Sequence, residues 1–144
     1  MSKLHFRYGA MSSGKSAALL QVAHNYEQKG MLAILIKPAI DTKAENKISS
    51  RIGIEREVDI LLAATDKIID KIESVKPHAI IIDEAQFLTA AQVDELYIIT
   101  KKYDIPVLCY GLRCDFQMNP FEGSVRLLQI ADDIEELKTI CQCG

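Results

Sequence analysis

No apolar run in the sequence approaches the roughly 20 residues that a helix needs to cross a bilayer. There is no basic excess either: 17 lysines and arginines against 20 aspartates and glutamates leave a net charge of −3. Without a basic field, nothing holds DNA, RNA or an anionic membrane by counterion release, so neither a nucleic-acid polymer nor a membrane is expected as a partner. The opening MSKLHFRYGA lacks the long apolar core of a secretory signal, and the expected location is cytoplasmic. Cysteine and histidine are scarce. In a reducing cytosol the four cysteines (Cys109, Cys114, Cys141 and Cys143) are expected as thiols or metal ligands and not as disulfides, and only the last pair has a ligand-like spacing. His5, His24 and His78 have no partner at ligand or triad spacing and are expected to pack or to face solvent. Internal repeats and low-complexity linkers are also missing. What is left, 144 residues with 49% hydrophobic content, suits a single globular domain.

The apolar residues fall in short β-branched runs separated by longer stretches of helical period, the pattern of an α/β fold with a parallel sheet flanked by helices. The runs predict strands at 4–8, 32–37, 78–83, 106–111 and 134–140. Leu19, Val22, Ala23 and Tyr26 recur on one face of a helix predicted from Ser16 to Lys29, with Gly30 placed as its C-terminal cap. A second helix is predicted over Thr65–Val75, with Ile68, Ile69, Ile72 and Val75 inward. A third covers Ala90–Tyr103, with Val93, Leu96 and either Ile99 or Thr100 inward. Residues 39–57, polar and charged, read as the flexible segment.

Residues 9–16, GAMSSGKS, match the pattern G-x-x-x-x-G-K-[ST], which a chain of this length meets by chance at about the half-percent level. The match has physical meaning only between a strand and a helix, and the flanking LHFRY and SAALLQVAHNYEQK supply both. Backbone N–H groups of Gly9, Ala10, Met11, Ser12, Ser13 and Gly14 would then converge on nucleotide phosphates at the positive end of a helix. Lys15 would reach the β/γ-phosphates, and the Ser16 hydroxyl would ligate Mg²⁺. Such a site needs a carboxylate at the end of a neighbouring strand, and HAIIIDEAQF ends its apolar run in Asp83. Glu84, the next residue, is placed to take a proton from whatever attacks the γ-phosphate. That role fits water in an ATPase and a hydroxyl in a kinase equally well, and the two motifs leave a P-loop ATPase, a kinase and a nucleotide-binding domain without turnover all open.

GAMSSGKS (9–16), IKPAIDTK (36–43), SSRIG (49–53), IIIDEAQF (80–87), YGLRCDFQMNPF (110–121) and ADDIEELKTICQCG (131–144) together resemble the thymidine kinases of the type shared by many bacteria and animals. The resemblance covers nearly the whole chain. It implies a P-loop NTPase-like, RecA-like sheet and phosphoryl transfer from MgATP to the 5′-hydroxyl of thymidine, with Glu84 as general base. It also implies an ATP site lined by residues 9–16 together with Asp83, Glu84, Ala85 and Gln86. Met11, Phe87, Leu112 and Phe116 stand where family members surround the thymine ring, and the resemblance implies a place for Asp41 near the acceptor sugar. Lys43 stands where members often have arginine, keeping the charge without the bidentate fork.

The same resemblance assigns Cys141 and Cys143 two of the four ligands of a structural Zn²⁺, the others lying farther along in a loop that closes over the nucleoside. The expected organisation is therefore an α/β kinase domain at 1–140, with 141–144 opening a zinc-binding segment whose remainder is absent from this shortened form. A homotetramer is implied as the assembly.

Overall fold

The computed structural model describes residues 2–9, 15–39, 47–49, 55–113 and 120–137. Its strands are β1 (Leu4–Tyr8), β2 (Ala33–Pro38), β3 (Lys47–Ser49), β4 (Glu55–Glu57), β5 (Ile60–Leu62), β6 (Ala79–Ile82), β7 (Val107–Gly111) and β8 (Asp133–Glu136). Its α-helices are α1 (Lys15–Gln28), α2 (Ile68–Ile72), α3 (Ala90–Lys102) and α4 (Glu122–Ile130). Six strands form one sheet in the order β5-β2-β6-β7-β1-β8, with every neighbouring pair parallel. β3 and β4 pair separately as an antiparallel ribbon.

Side chains alternate across a strand, and here both faces are covered, so the central strands are apolar on both sides. Ile34, Ile36, Ile80, Ile82, Val107 and Cys109 point to one face, where Ile68 and Ile72 of α2, Val93, Leu96 and Ile99 of α3 and Leu127 of α4 bury them. Ala33, Leu35, Ala79, Ile81, Leu108 and Tyr110 point to the other, which Leu19, Leu20 and Ala23 of α1 cover. Burial on both faces is the reason β2, β6 and β7 read as short continuous apolar runs, whereas β1 carries half-buried His5 and Arg7 on its second face. The Cys109 thiol is fully buried, which pushes its pKa well above the usual thiol range and keeps it protonated.

α1 and α3 match the predicted helices to within one residue at each end. Val22 and Tyr26 are only partly buried, and Gly30 adopts φ +73°, the left-handed cap conformation that glycine takes without strain. Thr89 and Gln92 form a reciprocal capping box at the start of α3, where both Ile99 and Thr100 turn inward.

The helix expected over Thr65–Val75 is shorter than predicted, and its neighbours set the limits. Both carboxylate oxygens of Glu95 on α3 accept from the N–H groups of Ile68 and Ile69 at 2.8 Å, which caps the first turn there. The Gln92 amide donates to the carbonyls of Ala63 and Asp66 and keeps that segment a turn. Ile68 and Ile72 are buried as expected, whereas Val75 lies beyond the helix and is exposed. α4 and β5 were not predicted. Gly123 and Ser124 occupy the buried face of α4 beside Leu127. β8 begins one residue before the strand predicted at 134–140, whose last three residues lie outside the described ones. The expected flexible segment, 39–57, contains β3 and β4 and is otherwise mostly undescribed. No helix among the described residues is long and apolar enough to span a membrane.

Candidate active site

Open parallel sheets bind ligands beyond the carboxyl ends of their strands, and in this sheet β6, β7 and β1 are consecutive. At that edge Gly9, buried, follows β1 and donates its N–H to the Gly111 carbonyl at 3.1 Å, tying the start of the glycine-rich segment to the end of β7. α1 starts at Lys15, so its N-terminus with Lys15 and Ser16, both half-buried, closes the same segment. Ala10, Met11, Ser12, Ser13, Gly14, Asp41, Lys43, Cys114, Phe116, Cys141 and Cys143 lie outside the described residues.

β6 delivers its acidic pair into two unlike environments. Asp83 is only 6% exposed, and its N–H still bonds to the Ile36 carbonyl as a last rung of the sheet. Burial, aided by the neighbouring Glu84 charge, raises its pKa from 3.8 to about 6, against the opposing pull of a backbone N–H and of the Lys37 and Lys15 ammonium groups. Glu84 is half-buried and left-handed at φ 55°, ψ 41°, a conformation that a non-glycine residue adopts only at a cost. It turns the chain out of the sheet into a single 3-10 turn, Ala85–Phe87.

The Gln86 side chain folds back from that turn and is 2% exposed. Its Nε2 donates to Glu84 Oε2 at 2.6 Å and its Oε1 accepts from the Leu112 N–H at 3.1 Å. The two partners fix which way the amide faces, because a carboxylate only accepts and an N–H only donates. Gly111 leaves room for it: a Cβ there would come within 2.6 Å of Gln86 Oε1 and 3.0 Å of the Gln86 backbone nitrogen. Phe87, exposed at the end of the turn, meets Phe121 edge-on with ring centroids 5.4 Å apart, and Leu112, the first residue after β7, is half-buried. Sequence reasoning did not single out Gly111, Ser124 or Lys37. The glycine closing an apolar strand was the one local signal of a close backbone approach.

Among the described residues no three His, Cys, Asp or Glu side chains converge as a metal cage. The chemistry of the edge nonetheless fits magnesium, which binds through one or two protein oxygens and completes its shell with phosphate and water. Asp83 carries a buried carboxylate whose charge a cation would favour, and Ser16 offers a hydroxyl at the helix N-terminus.

A parallel sheet whose first strand runs through a glycine-rich segment into a helix opening on Lys15-Ser16, with an acidic pair ending a nearby strand, defines a P-loop nucleotide-binding protein of the α/β class. The thymidine kinase family profile matches residues 2–144, and the chain belongs to that family. It is 47% identical over 149 residues to a thymidine kinase of Rhodopirellula baltica, covering all of this chain and 70% of that protein. Thymidine kinases of Coxiella burnetii and Vibrio cholerae are 46% and 48% identical over 149 and 148 residues, again over the whole chain, which spans 76% and 77% of them. Among solved structures, a Pif1 helicase from a study of DNA unwinding at forked duplexes superimposes with a TM-score of 0.51 at 18% identity. The match covers 96% of this chain and 40% of that one, and it speaks for the fold alone.

Proposed function

We propose that the chain transfers the γ-phosphoryl group of ATP, with Mg²⁺, to the 5′-hydroxyl of thymidine, giving thymidine monophosphate and ADP. The observation that carries the reading is Glu84: its carboxylate stands one residue beyond the buried Asp83, at the carboxyl end of β6, oriented by the Gln86 amide. In this reading Glu84 takes the hydroxyl proton as the 5′-oxygen bonds to phosphorus, while the β–γ bridging oxygen leaves with ADP. Lys15 places its cation beside the transferring group, and the N–H groups of residues 9–14 hold the phosphates. Asp83 and Ser16 would hold magnesium, which when bound neutralises charge on the β- and γ-oxygens. Ala85 and Gln86 complete the ATP side. Met11, Asp41, Phe87, Leu112 and Phe116 form the nucleoside side, and the exposed Phe87 ring braced on Phe121 suits a flat base.

Cys141 and Cys143 would contribute two thiolates to a structural zinc, a homotetramer is the proposed assembly, and the cytoplasm the proposed location; family membership supports all three. The deciding experiment incubates the protein with MgATP and a panel of nucleosides and follows monophosphate and free phosphate separately. Thymidine-dependent monophosphate is the expected product. Phosphate release without a nucleoside product would favour the ATPase reading that the two nucleotide motifs alone leave open.

A further inference from the structure

The contacts around Gln86 extend beyond the base. The Leu112 peptide, first after β7, is held from both sides: its N–H by Gln86 Oε1 at 3.1 Å and its carbonyl by the Ser124 hydroxyl, which donates to it from the first turn of α4. Gln86 is 2% and Ser124 0% exposed, so neither bond competes with water. α4 is itself pressed onto the base-bearing turn. A Cβ on Gly123 would lie 2.5 Å from the Ala85 carbonyl and 2.7 Å from that of Leu88, a spacing only glycine permits. Glu84, Gln86, the Leu112 peptide and Ser124 therefore form a continuous hydrogen-bonded line across three elements: the 3-10 turn, the end of β7 and α4.

We infer that this line is a positioning strut. Gln86 and Ser124 touch no reacting atom; they hold the Glu84 carboxylate in register with the segment that begins at Leu112, so that base and acceptor hydroxyl meet at the correct distance. The inference rests on the kinase reading of Glu84 given above. Its physical basis is that a carboxylate on a half-buried side chain has free rotamers unless a partner selects one. The Gln86 amide selects that rotamer and shares its other end with the nucleoside-side backbone. Displacement of a reacting group by about 1 Å costs on the order of a hundredfold in rate, which sets the scale of the effect.

The test compares Gln86→Leu, Ser124→Ala and the double variant with wild type, measuring kcat, KM for ATP and thermal midpoint, with Leu96→Ala in the core of α3 as a control for lost stability. Gln86→Leu keeps the volume and loses both bonds; kcat is expected to fall about a hundredfold. Ser124→Ala, which is not among the ATP-side residues, is expected to lose about tenfold in kcat with KM for ATP within about twofold. Because both act through the Leu112 peptide, the double variant should lose less than the product of the two. Leu96→Ala should lower the midpoint at least as much while kcat stays within about twofold. Wild-type turnover of thymidine together with unchanged kcat in the variants, or a kcat loss that merely follows the midpoint in all of them, would overturn the strut and leave the kinase reading standing. Absence of thymidine monophosphate from the wild-type protein would overturn both.

Discussion

The two ends of the sheet hold their charged groups in opposite ways. At the amino ends, carboxylates sit at the surface among donors. Asp104 accepts from both the N–H and the hydroxyl of Ser2, which hold it below the usual carboxylate range. Asp132, despite the opposing effect of its partial burial, is held low by the Lys101 ammonium at 2.7 Å and the Leu4 N–H at 2.8 Å. At the carboxyl ends, Asp83 is buried and pushed up to about 6. The first arrangement ties chain ends together at little cost. The second keeps an unfavourable charge in place, which a fold has reason to retain only where a ligand will compensate it.

The largest effects should therefore come from the carboxyl end. Lys15→Ala and Glu84→Gln are each expected to lower thymidine phosphorylation by at least about a thousandfold, Glu84→Gln with ATP binding intact, because the amide fills the same space and cannot accept the proton. Lys101→Ala, which breaks the corresponding charge pair at the amino end, should leave turnover within about twofold. Equal losses at the two ends would erase the contrast.

Next in size is Gly123→Ala. The added methyl meets backbone carbonyl oxygens of Ala85 and Leu88 that cannot swing aside, so α4 must shift away from the turn, at a cost of about 2–3 kcal/mol in urea unfolding. An unchanged unfolding midpoint would show that the packing of α4 on the 3-10 turn is looser than this contact requires.

Asp83 sharpens the comparison through pH. Its folded pKa lies above the unfolded value, so the folded protein holds a proton that the unfolded chain has already released, and stability falls as pH rises from about 4 to about 6, then stays flat. A rise from 3.8 to about 6 corresponds to about 3 kcal/mol of cost above that window. Asp83→Asn should accordingly stabilise the nucleotide-free protein by about 1–3 kcal/mol at pH 7.5, and by little at pH 4, while removing most turnover. A gain of the same size at both pH values would mean that packing, and not the buried charge, is responsible.

Much of this edge was legible in the chain itself. GAMSSGKS and the apolar run ending in Asp83-Glu84 are local patterns, and the sheet then brings them together because β1, β7 and β6 are neighbours. The strut was not legible. Its bond between Gln86 and Leu112 joins residues 26 apart, and its last member sits on α4, a helix the sequence reading did not predict. For α2, local periodicity was present, but Glu95 of α3 decided where the helix begins, and no pattern within residues 65–75 records that.

The smallest effect provides the closest control, because a left-handed non-glycine residue occurs at each end of the sheet. Lys76, φ 52°, closes α2 with its N–H on the Ile72 carbonyl and precedes Pro77; it is exposed and makes a tight turn into β6. Glu84, φ 55°, makes the turn out of the same strand. Glycine at either position relieves about 1 kcal/mol or more of left-handed strain and gives back about half of it through the greater freedom of the unfolded chain. Lys76→Gly should thus gain about 0.5 kcal/mol in urea unfolding with unchanged thymidine turnover. Glu84→Gly should lose turnover altogether and show no such gain, because it also strips the buried Gln86 Nε2 of its acceptor, a cost of about 1–3 kcal/mol that outweighs the strain relieved. If Lys76→Gly lost stability instead, the left-handed turn there would be favoured by contacts of the lysine stem, and the two turns could not be compared as equal strain in one place kept for shape and in the other for chemistry.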